Sequence, residues 1–247
     1  MDQINLKDKF NIDGEGTLSI YEIDKDKPLI LIFPGGGYHH LSPRESLPVS
    51  NKFNSLGYNT AILRYSVSPY SYPTQLNEAN ASLEYLLTKY KKIFLLGFSA
   101  GGHLAGLCGT DKYYDKICGM ILCYPVISLH EYTHIGTQTN LLKNMNTKEN
   151  QIKYSIHNRV NKNTSPCFIW CTKEDNAVPY ENSIIMNEAL KKHNIYSEIV
   201  VFPHGPHGMA LADDTATSDN HLDCKDELVA TWPSLVDNFI KKVIKND

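Results

Sequence analysis

The sequence predicts an α/β protein with a mostly parallel, twisted sheet and helices on both of its faces. Short apolar runs alternate with amphipathic stretches along most of the 247 residues, the pattern of repeated strand–helix–strand units. The clearest runs, Leu29–Phe33 and Ile93–Phe98, are apolar throughout, as expected of strands buried on both faces. A chain of this length suits one such domain, spanning residues 1–247.

Each element has its own local signal. Strands are expected at 18–23, as part of a hairpin, and at 29–33, 59–64, 93–98, 116–124, 168–172 and 197–202. Helices are expected where apolar residues recur at three- and four-residue spacing, at 44–56, 73–90, 99–109, 179–193 and 227–245. Residues 128–165 are polar and poorly periodic, so we interpret them as an insertion over one end of the sheet, with a short helix at 148–154.

Composition excludes several classes of partner. The formal net charge is −3 with 21% charged residues, so there is no electrostatic case for nucleic acid or an anionic membrane. The first ten residues mix acids and bases without an apolar run, so we expect no secretory signal and a cytoplasmic protein. The six cysteines lie mostly in apolar surroundings and are expected to be buried thiols; no cofactor or metal is expected.

The pentapeptide Gly97-Phe98-Ser99-Ala100-Gly101 fits the pattern G-x-S-x-G. The pattern alone is a weak signal, but here a predicted strand precedes it and a helix of small residues follows it. This context is that of the nucleophile elbow of the α/β-hydrolase fold, in which a tight turn exposes a serine at the carboxyl end of a strand. We therefore predict Ser99 as a nucleophile.

A tetrahedral intermediate would need hydrogen-bond donors for its oxyanion, each worth about 3 kcal/mol. The N–H of Ala100, directly after the nucleophile, is the first expected donor. The glycine loop Gly35-Gly36-Gly37 follows an earlier strand, and we expect Gly36 or Gly37 to supply the second. A phosphate-binding loop is disfavoured because no Lys-Ser or Lys-Thr follows.

The acid and base of such a site follow the serine in the order acid, then histidine. Asp175 lies in the loop after the predicted strand 168–172, with Glu174 as its rival and helix capping as its alternative role. His207 lies on the loop after strand 197–202 and is better placed than His204 to reach over the sheet edge.

Several segments together resemble one known group. They are PGGGY at 34–38, SPRE at 42–45, LRYSV at 63–67, GFSAGGHLA at 97–105, LCYPVI at 122–127, NLL at 140–142, EDNAVPYENS at 174–183 and FPHGPHG at 202–208. The chain resembles the α/β-hydrolase acetyl-esterase family of xylan esterases and sugar hydrolases, related to hormone-sensitive-lipase-like and prolyl-oligopeptidase-like hydrolases.

The resemblance independently assigns Ser99, Asp175 and His207. It implies hydrolysis of small acyl esters, including acetylated xylo-oligosaccharides. It also implies that Arg44, with Glu45, shapes the pocket or braces the glycine loop, although a surface ion pair remains open. Tyr38 and Tyr65 could face the pocket and stack on a sugar, or pack in the core.

Three functions remain open at this point. The first is a carboxylesterase for short acyl groups, acting on a small-molecule ester, with homo-oligomerisation possible. The second is a serine peptidase of the prolyl-oligopeptidase kind, although 247 residues leave no room for an N-terminal propeller. The third is a non-catalytic binding protein on a hydrolase fold, which the complete set of site residues disfavours.

Overall fold

The computed structural model of the protein describes residues 2–113, 115–216 and 224–246. They contain an eight-stranded sheet. The strands are β1 Asp2–Asn5, β2 Thr17–Tyr21, β3 Leu29–Phe33, β4 Asn59–Arg64, β5 Ile93–Phe98, β6 Gly119–Cys123, β7 Cys167–Thr172 and β8 Ser197–Phe202.

The strands lie in the order β1-β2-β4-β3-β5-β6-β7-β8. β1 and β2 are antiparallel to their neighbours, whereas every pair from β4 to β8 is parallel. The carboxyl ends of β3, β5, β7 and β8 therefore meet at one edge, where open α/β sheets bind ligands. The predicted mostly parallel α/β fold is confirmed.

The helices cover both faces of this sheet. They are α1 Leu6–Phe10, α2 Leu47–Ser55, α3 Thr74–Leu87, α4 Ala100–Gly109, α5 Ile135–Leu142, α6 Lys148–Lys153, α7 Glu181–Lys192 and α8 Trp232–Asn246. α2 and α8 pack on one face, where the rings of Trp170 and Trp232 stack with centroids 5.4 Å apart. α3, α4 and α7 pack on the other face. β3, β5, β6 and β7 are buried along their whole length, which explains their continuous apolar sequences.

Four strands, β3, β4, β5 and β8, begin and end where predicted. β6 is shorter than the predicted 116–124, and the last helix begins at Trp232 rather than at 227. The polar insertion contains not only the expected helix, here α6, but also α5, which its sequence does not predict. β1 and α1 are also not predicted.

Five of the six cysteines are buried, Cys118 is partly exposed, and none of the six is part of a disulfide bond. In the part of the chain that the structure describes, no helix is both long enough and apolar enough to cross a membrane. The cytoplasmic location stays a prediction.

Candidate active site

Ser99 lies in a strained turn between β5 and α4. Its φ is +52°, in the left-handed region that residues with a side chain rarely adopt. A Cβ on Gly97 would lie 2.3 Å from the carbonyl oxygen of Gly101, and one on Gly101 would lie 2.1 Å from that of Phe33. The two glycines of the motif therefore allow α4 to pack directly on the strands and hold the serine at the sheet edge.

The three side chains predicted to act together lie in hydrogen-bond contact. The Oγ of Ser99 is 2.8 Å from Nε2 of His207, and Nδ1 of His207 is 2.6 Å from Oδ2 of Asp175. A carboxylate only accepts, so neutral His207 carries its proton on Nδ1, and Nε2 accepts the hydroxyl proton of Ser99. The arrangement can take a proton from the serine and stabilise the resulting imidazolium.

Asp175 is held by its own loop. Its side chain is fully buried, and its second oxygen, Oδ1, accepts hydrogen bonds from the N–H groups of Ala177 (2.9 Å) and Val178 (2.8 Å). These loop contacts and the contact with His207 thus use different oxygens of one carboxylate. The alternative role of helix capping is wrong, because α7 begins at Glu181 with Tyr180 at its N-cap position.

The rival acid and base pair with each other at the surface. Nδ1 of His204 lies 3.0 Å from Oε1 of Glu174, and both side chains are more than half exposed. The hydrogen bond from His204 lowers the pKa of Glu174. The structure therefore places Glu174 and His204 outside the group formed by Ser99, His207 and Asp175.

The glycine loop lies beside Ser99. The N–H of Gly35 donates to Oε2 of Glu45 at 2.7 Å, so it is not free for a substrate. Gly36 and Gly37, with φ of +129° and +63°, line the same cavity as Ser99, and Ala100 begins α4 directly after it. Their roles as oxyanion donors stay predictions.

Glu45 and Arg44 have different surroundings. Glu45 is buried and also accepts a hydrogen bond from the hydroxyl of Tyr124 at 2.7 Å. Arg44 is partly exposed, lines the cavity and donates from Nη1 to the carbonyl oxygen of Ala216 at 2.9 Å. Glu45 therefore braces the glycine loop, and the guanidinium of Arg44 contributes to the cavity wall.

The expectation that Tyr38 and Tyr65 face the pocket is wrong. Tyr38 has no exposed surface, and its hydroxyl lies 3.0 Å from Nδ1 of His103. Tyr65 is 2% exposed, and its hydroxyl donates to the carbonyl oxygen of Pro34 at 2.6 Å. Both rings fill the core beneath the glycine loop, where their hydroxyls find hydrogen-bond partners. Neither ring can therefore stack on a sugar in the cavity.

A cavity of about 630 Å³ opens above Ser99. It is lined by Gly36, Gly37, His39, His40, Ser42, Pro43, Arg44, Glu45, Ser99, His134, Asn140, His207 and Gly208. His134 and Asn140 belong to the insertion, and sequence reasoning missed both of them as site residues. The amide of Asn140 donates to the carbonyl oxygen of Gly37 at 2.9 Å, so α5 is attached directly to the glycine loop.

Two known proteins are similar in sequence to most of this chain. Endo-1,4-beta-xylanase B of Butyrivibrio fibrisolvens is 33% identical over 218 residues, covering 79% of this chain and 34% of that protein. Acetylxylan esterase of Xylanibacter ruminicola is 28% identical over 192 residues, covering 72% of this chain and 40% of that protein. The chain thus spans only about a third to two fifths of the length of these two relatives.

A solved structure matches over nearly its whole length. The acetyl ester-xyloside bifunctional hydrolase from Caldicellulosiruptor lactoaceticus has a TM-score of 0.87 and 34% identity, with 98% of this chain and 96% of that one covered. The model of the prolyl oligopeptidase family matches residues 66–223, which include Ser99, Asp175 and His207. Since that match extends over more than half of the residues, the chain belongs to the prolyl oligopeptidase family of α/β-hydrolases.

Proposed function

We propose that the protein is a serine esterase that removes short acyl groups, chiefly acetyl, from small esters such as acetylated xylo-oligosaccharides. The observation that carries the proposal is the continuous hydrogen-bonded series from Ser99 through His207 to Asp175, beside the glycine loop. The names of an acetylxylan esterase and an acetyl ester-xyloside hydrolase among the relatives support the choice of substrate.

In the acylation step, His207 removes the hydroxyl proton of Ser99 while Oγ attacks the carbonyl carbon of the ester. The carbonyl oxygen becomes negative and accepts hydrogen bonds from the N–H of Ala100 and of Gly36 or Gly37. Asp175 stabilises the imidazolium of His207. The bond between the carbonyl carbon and the alcohol oxygen then breaks, and His207 gives its proton to the departing alcohol.

In the deacylation step, water takes the place of the alcohol. His207 removes a proton from this water as its oxygen attacks the acyl carbon, and the same backbone donors stabilise the second oxyanion. The bond to Oγ of Ser99 breaks, His207 returns the proton to Oγ, and the carboxylic acid leaves. The enzyme is then restored.

The test is hydrolysis of p-nitrophenyl acetate and of acetylated xylobiose by the purified protein and its Ser99→Ala variant. We expect turnover by the wild type and a loss of at least about 1000-fold in the variant, because no other group replaces the nucleophile. Ser55→Ala, at an exposed position near the end of α2, is the matched control and should keep full activity. Full activity of Ser99→Ala would reject the proposal.

The family match favours a second candidate, a serine peptidase. The same side chains can attack an amide as well as an ester. The esterase and the peptidase then differ in the leaving group, which is an alcohol for the first and an amine for the second. A panel of prolyl p-nitroanilides and short acyl esters separates the two functions. Faster cleavage of the anilides, measured as kcat/KM, would favour the peptidase.

A further inference from the structure

His134 is the N-cap residue of α5, and one of its ring nitrogens is already hydrogen-bonded. Nδ1 lies 3.1 Å from the backbone N–H of Thr137 and 2.8 Å from the hydroxyl oxygen of that residue. A backbone N–H can only donate, so Nδ1 is an acceptor and the neutral ring carries its proton on Nε2. The tautomer of His134 is therefore set by the capping contact of the helix.

His134 also lines the cavity above Ser99. Cε1 of His134 lies 3.7 Å from the point that a Cβ on Gly37 would occupy. Burial lowers the pKa of His134, and the charge of neighbouring His207 lowers it further. The ring thus stays neutral at neutral pH and presents an N–H donor, including when His207 is protonated.

The position of this ring is fixed by several contacts of α5. Gln138 donates from its amide to the carbonyl oxygen of Leu129 at 2.7 Å, and Asn140 donates to that of Gly37 at 2.9 Å. The N–H of Tyr72 donates to the carbonyl oxygen of Leu141 at 2.9 Å. A side chain held in this way loses little conformational entropy when a ligand binds to it.

We infer that His134 is a specificity-determining residue, which donates from Nε2–H to the sugar hydroxyl next to the scissile ester. This inference rests on the proposed esterase function. An acetyl group fills only a small part of a cavity of about 630 Å³, so most of that space is left for the alcohol. The departing oxygen must lie against Nε2 of His207, and His134 lines the same cavity, near enough for the charge of His207 to lower its pKa.

The chemistry of this contact predicts selectivity. A site that donates a hydrogen bond to a substrate oxygen discriminates against an ester that lacks the oxygen, because the donor, covered by the bound ester, is then left without a partner. Cyclohexyl acetate carries the same acyl group on a six-membered ring, as an acetylated xyloside does, but its ring has no hydroxyl groups and no ring oxygen. The ratio of kcat/KM for these two esters, compared between the wild type and a His134 variant, therefore reports the contribution of His134.

The experiment compares kcat/KM for methyl xyloside monoacetate with that for cyclohexyl acetate, in the wild type and in His134→Asn. Asparagine can still cap α5 but is too short to place a donor where Nε2 stands. We expect the ratio of the two values to fall about tenfold in the variant. His130→Asn, at an exposed position of the same insertion, is the matched control, and its ratio should stay within about twofold of the wild type.

A second measurement does not depend on the variant folding. The wild type should hydrolyse a deoxy analogue of the xyloside acetate, without the hydroxyl next to the ester, about tenfold more slowly in kcat/KM. An equal fall for both esters in a folded His134→Asn protein would overturn the inference. Wild-type protein inactive on every ester would instead reject the esterase function, so the two failures are distinguishable.

Discussion

The carboxylate of Glu45 joins the glycine loop to the chain that follows His207. Oε2 accepts the N–H of Gly35 at 2.7 Å, and Oε1 accepts the hydroxyl of Tyr124 at 2.7 Å. That hydroxyl in turn accepts the N–H of Ala210, three residues after His207, at 2.9 Å. One buried side chain thus contacts, directly or through Tyr124, the two loops on either side of Ser99.

We expect Glu45→Gln to lower kcat about tenfold to a hundredfold while changing KM little. Glutamine has a single oxygen acceptor, so either Gly35 or Tyr124 loses its partner and the loop that holds Gly36 and Gly37 becomes less well positioned. Steady-state kinetics with p-nitrophenyl acetate measures the effect. Glu84→Gln, at an exposed position of α3, is the control, and an unchanged kcat in Glu45→Gln would contradict the positioning role.

The sequence was sufficient for the parts of the site that follow strands. Ser99, Asp175 and His207 each lie just after a continuously apolar or alternating run, and parallel strands bring such positions to one edge. β5 is buried along its whole length, and its continuous apolar run also marks both of its ends correctly.

The contribution of the insertion could not be predicted in the same way. α5 buries polar residues, Thr137 and Gln138, and satisfies Gln138 by a hydrogen bond to Leu129, so its sequence lacks the apolar period of an amphipathic helix. The burial of Tyr38 and Tyr65 could not be predicted either, because it depends on hydrogen-bond partners that are distant in sequence. Tyr38 contacts His103, 65 residues away, and Tyr65 contacts Pro34, 31 residues away.

The two histidines of the loop after β8 should differ sharply on substitution. His207→Ala removes the group that contacts both Ser99 and Asp175, and we expect at least about a 1000-fold loss of kcat/KM. His204→Ala removes an exposed contact with Glu174, and most of the activity should remain. The reverse result for p-nitrophenyl acetate would exchange the two assignments.

Short acyl chains should be preferred. Of the described residues that line the cavity, only Pro43 has an apolar side chain, so a long alkyl chain would find no aliphatic side chains such as leucine or valine to pack against. We expect kcat/KM to fall at least about tenfold from p-nitrophenyl acetate to p-nitrophenyl octanoate. A kcat/KM that rises with the length of the acyl chain would contradict this prediction.

The buried histidine of α4 should make the fold sensitive to acid. His103 donates from Nε2 to the carbonyl oxygen of Tyr154 at 2.9 Å, because a carbonyl only accepts, and its Nδ1 accepts the hydroxyl of Tyr38. Burial lowers the pKa of His103 to about 4 from its ordinary 6.5. Below pH 6.5 the unfolded chain therefore binds a proton that the folded chain excludes, so folding stability is lost as the pH falls from 6.5 towards 4.

His103→Gln keeps an amide donor near Tyr154 and removes this titration. We expect the free energy of unfolding, measured by urea titration, to fall between pH 7.5 and pH 5 by about 2 kcal/mol more in the wild type than in the variant. Carboxylates titrate in both proteins and largely cancel in this difference. His130→Gln, at an exposed position, is the control and should show the same pH dependence as the wild type. Parallel pH profiles for the wild type and His103→Gln would contradict the prediction, because they would show that His103 is protonated as readily in the folded protein as in the unfolded chain.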